Sequence, residues 1–348
     1  MNELGTDPPK RPTMRDVADL AGVSLKTVSR VVNDEPGVTP DLVDRVRGAV
    51  LRLGYRPDDR ARHLRRTAAA APSRSRTIGY VQMDVANPFF AGIFRGLEDV
   101  AGANDSLVLA GSSDADPARE EALIQAFVAR RVDGLIIATQ GDFDVGSLEL
   151  EQRHGTAVVF VDQDPEQAVG DVVRTDHYEG AALAVRHLRQ HGHQRIAFLG
   201  DDLRLFSARA RHQGFLDVME ADGLATPWVE TELTNADQAA TATRRLLAAD
   251  DRPTAMFTAQ NLITTGVLSV LHVQGLADQI ALVGFDQIEA ADLIKPRPTV
   301  IPQDPRQLGR LAAERLFARL AGDTSPPART ILRPHLLVGG SGEIPPPD

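Results

Sequence analysis

Short apolar runs alternate with amphipathic stretches along most of this 348-residue chain, and this alternation limits the possible fold more than any other feature. Nine runs have the length and composition of buried strands: residues 78–83, 107–111, 134–138, 157–162, 172–175, 195–200, 254–258, 280–284 and 299–301. Helical patterns separate most of them, for example 116–131, 178–191, 206–222, 237–249, 262–274 and 305–320. Strands that alternate with helices form parallel sheets covered by helices. The sequence therefore predicts an α/β body, and its length fits two lobes.

The residues that follow these strands are the first candidates for a ligand site, because parallel sheets bind ligands beyond the carboxyl ends of their strands. Aromatic, amide and carboxylate side chains occupy these positions: Phe89, Phe90, Asp162, Gln163, Asp176, Gln260, Asn261 and Asp286. Arg211 lies in a later helical turn. This combination of aromatic, amide, carboxylate and guanidinium side chains suits a polyhydroxylated or heterocyclic small molecule. Structural roles remain open for Asp176 as a helix cap, for Phe89 in the core and for Arg211 in an interlobe ion pair.

Ahead of the body, three short helical patterns follow one another. A capping box at Thr13 opens the first helix, Gly22 breaks it, and Ser24 can cap the second. Pro40 begins the third helix and Gly54 ends it. Three short helices with a tight turn between the first two form a helix-turn-helix unit.

The second of these helices has two faces. Val28 can pack on the other helices, whereas Leu25, Lys26, Ser29 and Arg30 face outward. The N-terminal end of such a helix reaches base edges in the major groove. Arg30 could form hydrogen bonds with guanine, and Lys26 could bind guanine or a phosphate. Leu25 could contact a thymine methyl group. A solvated polar face is the alternative for Lys26 and Arg30.

An arginine-dense segment follows over residues 56–66, and residues 67–76 have the composition of a flexible linker. One short helical turn buries too little to be stable alone. The segment could therefore order against DNA and a partner chain, with Leu64 wedged into the minor groove; a plain basic linker is the alternative. The charge distribution favours a polyanionic partner for the head. Residues 1–76 hold 15 basic and 10 acidic residues against 23 and 38 in the remainder, although the whole chain has a net charge of −10.

Residues 13–33, which read TMRDVADLAGVSLKTVSRVVN, closely resemble the lactose/galactose-repressor family of bacterial regulators. DVA at 16–18, AGVS at 21–24 and TVSRV at 27–31 stand where that family has its signature. The resemblance continues to about residue 340. It implies an N-terminal all-α helix-turn-helix domain and an α/β two-lobed effector domain with parallel sheets, similar to a periplasmic sugar-binding protein.

The resemblance also implies site residues. The expected DNA contacts are Thr13, Ser24, Leu25, Lys26, Thr27, Ser29, Arg30, Asn33, Tyr55, Ala61, Arg62 and Leu64, the last three in a hinge helix. Phe90, Asp162, Arg211 and Asp286 fall where family members contact effector. Three positions depart from the family pattern: Asp58 replaces a usual Asn, Gln163 a frequent aromatic residue or Arg, and Gln260–Asn261 a frequent Asn-Asp pair.

The expected organisation is a helix-turn-helix domain over 12–57, a hinge helix and linker over 58–76, an effector-binding and dimerisation domain over 77–340, and a disordered tail over 341–348. The expected function is sequence-specific repression of transcription by a homodimer on double-stranded operator DNA. A small-molecule effector bound between the lobes, most often a sugar in this family, controls it. No cofactor is expected.

Other classes of protein are disfavoured. The absence of cysteine excludes disulfides and thiolate chemistry, and no phosphate-binding glycine loop is present. His187 and His191 have metal-ligand spacing but lack a third ligand, so we expect neither an enzyme nor a metal site. Residues 1–13 lack an apolar signal region and no run is long enough to cross a membrane, which predicts a cytoplasmic, nucleoid-associated protein rather than an exported receptor. A small-molecule-binding protein without DNA-regulatory activity remains the alternative.

Overall fold

The computed structural model describes residues 12–32, 35–55, 74–139, 141 and 144–347. The chain divides into two compact units, Met1–Ser73 and Arg74–Asp348. Residues 12–32 and 35–55 of the first unit contain helices and no strand, and the second unit is built on two parallel sheets, so the predicted fold class is confirmed.

The first unit, here called the head, contains helices α1 (Met14–Ala21), α2 (Leu25–Val32) and α3 (Pro40–Leu53). Val17, Val28 and Val46, one from each helix, are fully buried against one another in its core. Burial of one apolar stripe per helix is what holds such short helices in place, because none of them is long enough to be stable alone.

The caps of the head lie largely where the sequence predicts them. The Thr13 hydroxyl accepts from the Asp16 amide, and the Asp16 carboxylate accepts from the Thr13 amide at 2.7 Å, which is a complete capping box. Ser24 Oγ accepts from the Thr27 amide at 3.1 Å. Thr39 occupies the N-cap position of α3, but its side chain makes no capping hydrogen bond. Helix α3 therefore begins on the fixed φ of its proline alone.

The second unit, here called the body, alternates strands and helices. Its first half contains β1 (Thr77–Gln82), α4 (Pro88–Ala103), β2 (Leu107–Ser112), α5 (Pro117–Ala129), β3 (Gly134–Ile137), α6 (Val145–Arg153), β4 (Ala157–Val161) and β5 (Asp171–Thr175). Its second half contains α7 (His177–Gln190), β6 (Ile196–Leu199), α8 (Phe206–Ala221), β7 (Val229–Glu230), α9 (Ala236–Leu247), β8 (Ala255–Thr258), α10 (Asn261–Val273), β9 (Ala281–Phe285), a 3₁₀ turn (Ala291–Leu293), β10 (Thr299–Ile301), α11 (Pro305–Leu320) and β11 (Arg329–Leu332).

Two sheets divide the body into two lobes. Lobe 1 holds the sheet of order β11-β5-β4-β3-β1-β2, and lobe 2 holds the sheet of order β10-β9-β8-β6-β7, with every paired strand parallel. Helix α11 returns to lobe 1 and packs closely on α4. A Cβ atom on Gly96 or Gly309 would lie 2.1 Å from a backbone oxygen of the facing helix, so only glycine allows this approach.

All nine predicted strands are present, with each boundary within one residue of the prediction. The two strands that were not predicted, Val229–Glu230 and Arg329–Leu332, lie at sheet edges. The first has only two residues, and the second is largely exposed. Neither therefore carries the continuous apolar signal of a buried strand.

The disordered tail predicted for 341–348 is wrong at least as far as Ile344. Ser341 is 2% exposed, and its hydroxyl donates to the Leu282 carbonyl at 2.6 Å and accepts from the Thr299 amide at 2.9 Å. His193 Nε2 donates to the Ile344 carbonyl at 2.8 Å. Hydrogen bonds from buried partners far away in sequence anchor this segment to lobe 2, and its own composition carries no sign of them.

Candidate ligand site and nucleic-acid interface

Each lobe presents one carboxylate at the carboxyl end of a central strand. Asp162 follows β4, and its amide donates to the Val173 carbonyl of β5 at 2.9 Å. Asp286 follows β9, and its amide donates to the Ile301 carbonyl of β10 at the same distance. Both residues have left-handed φ angles, 66° and 70°. Non-glycine residues rarely adopt this conformation, and where they do the surrounding structure enforces it, often at a functional site.

Gln303 lies beside the two carboxylates, between β10 and α11, where the chain crosses from lobe 2 to lobe 1. Its Nε2 donates to Asp286 Oδ1 at 2.7 Å, and its presence lowers the pKa of Asp162. Gln303 was not among the residues predicted from sequence, although it follows a predicted strand by two residues. The rule that selected the other positions would have found it.

Burial dominates the protonation of both carboxylates. It raises the pKa of Asp162 to about 6, with Arg211 lowering this pKa and Asp286 raising it further. Burial likewise raises the pKa of Asp286, against the opposing effects of Arg211 and Gln303. Both pKa values are raised because the single positive charge of Arg211 does not offset the burial of two carboxylates.

Arg211 is the cation of this cluster and is 5% exposed. Its Nη1 donates to the Ala259 carbonyl at 2.6 Å, and its guanidinium carbon lies 3.9 Å from the centroid of the Phe285 ring. Arg211 Nε and Asp162 Oδ1 are both buried without a hydrogen-bond partner in the part of the chain that the structure describes. Arg211 thus acts on the carboxylates through its charge and not through a hydrogen bond.

His177 links Arg211 to Asp162. Arg211 Nη2 lies 3.1 Å from His177 Nδ1 and can only donate, so Nδ1 must accept and the ring proton must lie on Nε2. Nε2 then donates to the Asp162 carbonyl at 2.9 Å. Burial first, then the charge of Arg211, lowers the pKa of His177 well below its usual value, and the ring is neutral. His177 was not among the residues predicted from sequence, although it follows a predicted strand by two residues, as Gln303 does.

Asparagine and glutamine side chains form hydrogen bonds between the two lobes at two places. Asn261 Nδ2 donates to Asn87 Oδ1 at 2.8 Å, and Asn87 Nδ2 donates back at 3.3 Å. Gln163 Nε2 donates to Ser207 Oγ at 2.8 Å, while the Ser207 amide donates to Gln163 Oε1 at 3.2 Å. Gln163 also donates to Asp162. Asn261 and Gln163, both predicted from sequence, therefore join the lobes directly.

The remaining predicted site residues divide between the core and helix caps. Phe89 and Phe90 are nearly buried and pack edge to face, with centroids 5.3 Å apart. Gln260 caps α10, its Oε1 accepting from the Leu262 amide at 2.8 Å, while its Nε2 reaches Asp201.

Asp176 caps α7, and its carboxylate accepts from the Glu179 amide at 3.1 Å. Of the two roles open for Asp176, the structure favours the helix cap. Its carboxylate bonds a helix amide, and the residue is half-buried and not part of the Asp162–Asp286–Arg211 cluster.

A groove of about 540 Å³ opens on lobe 2, lined by Asp202, Leu203, Arg204, Thr231, Glu232 and Thr234. Arg204 and Asp202 form an ion pair of 2.6 Å there. Asp202 and Arg204 of this groove pair with each other, whereas Asp162 Oδ1 and Arg211 Nε of the interlobe cluster have no hydrogen-bond partner among the described residues. The interlobe cluster is therefore the better candidate for a ligand site.

The head exposes the predicted face of α2. Leu25 and Lys26 are exposed, and Ser29 and Arg30 are half-buried. Arg30 Nε lies 4.0 Å from Glu35 in a largely exposed pair, which contributes little to stability.

The other predicted DNA contacts have mixed positions. The hydroxyls of Thr13, Ser24 and Thr27 take part in helix capping. Tyr55 is 8% exposed and belongs to the core of the head. Asn33, Ala61, Arg62 and Leu64 lie outside the described residues, as does Asp58.

Metal binding has no support in the structure. Across residues 12–32, 35–55, 74–139, 141 and 144–347, no group of three or more His, Asp or Glu side chains could hold a metal ion. His187 pairs with Glu343, and His191 Nδ1 bonds the His187 carbonyl at the end of α7. Within the same ranges, no helix has the length and apolar content needed to cross a membrane.

A helix-turn-helix head together with a two-lobed body, whose lobes share a cluster of buried unpaired polar groups, defines a DNA-binding regulator that binds a small molecule. Comparison with known proteins supports this class. Residues 13–58 match the family model described as bacterial regulatory proteins, lacI family. Residues 185–342 match the periplasmic binding protein-like domain.

Relatives match over nearly the whole chain. The ribose operon repressor of Escherichia coli (strain K12) is 31% identical over 334 residues, which are 94% of this chain and 99% of the relative. A crystal structure of the lac repressor dimer bound to operator and the anti-inducer ONPF is 26% identical, with 96% and 99% of the two chains covered and a TM-score of 0.79. A complex of the transcriptional regulator CelR with cellobiose is 27% identical, covering 95% and 100%, with a TM-score of 0.69.

The chain belongs to the lacI family of bacterial regulatory proteins. It is a DNA-binding transcriptional regulator with a ligand-binding body. Membership of this family confirms the prediction of a regulator rather than an enzyme.

Proposed function

We propose that this protein represses transcription as a homodimer on double-stranded operator DNA, and that a sugar bound at the interlobe cluster controls its affinity for that DNA. The observation that carries the proposal is the state of Asp162, Asp286 and Arg211. All three are buried, yet Asp162 Oδ1 and Arg211 Nε lack hydrogen-bond partners among the residues described. Buried charges are normally paired, so a polar ligand is the natural partner for these atoms.

A sugar fits the chemistry of this cluster. Its hydroxyl groups donate to carboxylates and accept from a guanidinium group at the same time, and the aromatic rings of Phe89 and Phe90 lie in the same packed cluster as Leu205 and Ala208 of lobe 2. The names of two relatives, the ribose operon repressor and the regulator bound to cellobiose, point to the same ligand class.

The proposed control acts through the amide contacts between the lobes. The Asn87–Asn261 and Gln163–Ser207 hydrogen bonds cross from one lobe to the other. A ligand that replaces or strengthens them changes the relative stability of lobe arrangements, and therefore the population able to bind DNA. The effector then acts as inducer or corepressor according to which arrangement it favours.

For the head, we propose Arg30 and Lys26 as base and phosphate contacts and Leu25 as an apolar contact to a base. Hinge residues Ala61, Arg62 and Leu64 would complete the interface. The proposed domain limits are 12–57, 58–76 and a body that begins at 77 and extends to at least 344. A two-fold symmetric dimer implies a near-palindromic operator. We propose the cytoplasm as the compartment, since the operator is there.

Fluorescence anisotropy tests the regulatory function. A labelled fragment from upstream of the protein's own gene is titrated at fixed salt, because phosphate contacts make affinity steeply salt-dependent. We expect tight binding that one member of a sugar panel weakens or strengthens. Arg30→Ala should relax specificity at one base position by about 1–3 kcal/mol.

An equal loss of affinity for every DNA sequence would show that Arg30 contacts only phosphate. If no sugar changed binding to an operator that the protein holds tightly, the sugar part of the proposal would be wrong. If the protein bound sugars but preferred no DNA sequence, it would be a binding protein without regulatory activity.

A further inference from the structure

Tyr80 is a buried tyrosine in β1 whose hydroxyl has no evident structural purpose. The side chain is fully buried, and its ring stacks on Phe94 of α4 with centroids 6.3 Å apart. Its hydroxyl has no hydrogen-bond partner in the described part of the chain. Buried tyrosine hydroxyls usually have a partner, because leaving one unsatisfied destabilises the folded state. A phenylalanine would fill the same space without this penalty.

Tyr80 lies on the side of the lobe 1 sheet that leads to the interlobe cluster. In register across the sheet, Tyr80 pairs with Ile136 of β3, which pairs with Val159 of β4. That strand ends at Val161, and Asp162 follows it directly. Tyr80 belongs to the same packed cluster as Val161, directly before Asp162, and as Phe89 and Phe90.

Asp162, whose charge acts on Tyr80, has a buried oxygen without a partner, Oδ1, and Gln303 beside Asp286 has another, Oε1, among the residues that the structure describes. Both are acceptors, because Asp162 is a carboxylate and Oε1 is the oxygen of an amide. Burial, followed by the negative charge of Asp162, raises the pKa of Tyr80 well above its usual value. The phenol therefore stays protonated and is a hydrogen-bond donor throughout the physiological pH range.

We propose that Tyr80 is a specificity-determining residue of the effector site, whose hydroxyl donates to a single effector hydroxyl that in turn donates to Asp162 Oδ1. This inference rests on the proposed sugar-binding function. A hydroxyl group can accept one hydrogen bond and donate another, so one ligand group satisfies both orphaned atoms. A ligand that lacks this hydroxyl leaves both protein groups buried and unpaired, which is the strongest form of discrimination that hydrogen bonding provides.

Tyr80→Phe separates this role from a purely structural one, because the variant removes only the oxygen atom. If the hydroxyl has no function, Tyr80→Phe should have equal or higher thermal stability than wild type and unchanged effector affinity. If the hydroxyl binds the effector, the ligand-free Tyr80→Phe variant should be at least as stable as wild type, but it should bind effector about tenfold more weakly.

Tyr178→Phe is the matched control. It makes the same chemical change at an exposed tyrosine of lobe 2 whose hydroxyl donates to Asp217 at 2.7 Å. We expect it to leave effector affinity unchanged. The measurement is isothermal titration calorimetry on the full chain, with the common aldopentoses, aldohexoses and their disaccharides as probes, preceded by a thermal melt of each variant.

Monodeoxy forms of the sugar that binds complete the test. One of them should bind the wild type about tenfold more weakly than the parent sugar, yet lose nothing further in Tyr80→Phe, because each change removes the same hydrogen bond. Equal affinity of wild type and Tyr80→Phe for the parent sugar would overturn the role of Tyr80 and leave the sugar proposal intact. If no probe bound the wild type, the sugar proposal would fail and this inference with it.

Discussion

Two clusters in the body contain aspartate and arginine side chains, but the pKa of aspartate is lowered in one cluster and raised in the other. Asp171, at the start of β5, is 1% exposed and is surrounded by donors. Arg319 donates to both its oxygens at 2.7 and 3.0 Å, Arg315 pairs with it at 3.0 Å, and the Ala328 amide donates at 2.8 Å. Burial opposes ionisation, but these hydrogen bonds outweigh it and lower the pKa of Asp171.

At the interlobe cluster, Asp162 and Asp286 are likewise inaccessible to solvent, but they lie deeper in the protein than Asp171 and share one arginine that donates to neither of them. Their pKa values are raised. The difference shows that burial of a carboxylate does not by itself identify a ligand site. A buried carboxylate with a full set of donors holds the fold together, whereas one with atoms left unpaired is available to a ligand. Four variants test this distinction.

Arg211→Ala should have the largest effect. It removes the cation of the interlobe cluster, so effector affinity should fall about 100-fold or more, since a hydrogen bond to a charged group is lost together with its charge. Operator binding in the absence of effector should persist. Calorimetry with the identified sugar measures the first effect and anisotropy the second. Arg319→Ala is the matched control and should bind effector normally; a normal effector response in Arg211→Ala would remove Arg211 from the site.

Asp171→Asn should destabilise the body by about 2–3 kcal/mol, less than a fully buried pair would because both arginines are partly exposed. The pKa of Asp171 is lowered on folding, so its contribution is present above about pH 4 and is lost as pH falls further. Urea unfolding followed by the fluorescence of Trp228 should show the full deficit at neutral pH and a deficit that shrinks as pH falls below about 4. A deficit that did not depend on pH would mean that packing, and not charge, stabilises this cluster.

Asp162→Asn should change stability in the opposite direction. Folding raises the pKa of Asp162 from its usual value to about 6, so the favourable contribution of the protonated group is lost as pH rises from about 4 to about 6. The variant cannot ionise and should be about 2 kcal/mol more stable than wild type at neutral pH, with a flatter stability profile between those pH values. Its effector affinity should fall. A variant less stable than wild type at neutral pH would show that Asp162 has a structural partner.

Arg329→Ala should have the smallest effect. Arg329 pairs with Asp164 at 2.9 Å, but its side chain is 50% exposed and Asp164 keeps Arg174 at 3.2 Å. We expect a loss below about 0.5 kcal/mol and no change in effector binding. Arg174→Ala, at a side chain only 14% exposed, should lose more. Equal losses in thermal or urea unfolding would show that exposure does not determine the strength of these pairs.

The sequence by itself determined the elements and the edge of each sheet where the site lies. Nine strands were predicted to within one residue, because hydrophobic periodicity is a local property of the chain. Asp162, Gln163, Arg211, Asn261 and Asp286 lie near one another in the structure, with Asp162 and Asp286 at the carboxyl ends of strands in the two sheets. Effector binding by these residues stays a prediction. The caps at Thr13 and Ser24 are equally local.

Only the tertiary structure decided which of these groups have partners. The hydrogen bonds that join His177 to Asp162 and Gln303 to Asp286 connect residues 15 and 17 positions apart and formed only on folding. Asp176, which looks like a ligand residue in the sequence, is a helix cap. Asp171 is neutralised by Arg319, 148 residues away. Hydrogen-bond satisfaction and pKa depend on distances across the folded molecule, and no local pattern in the chain encodes those distances.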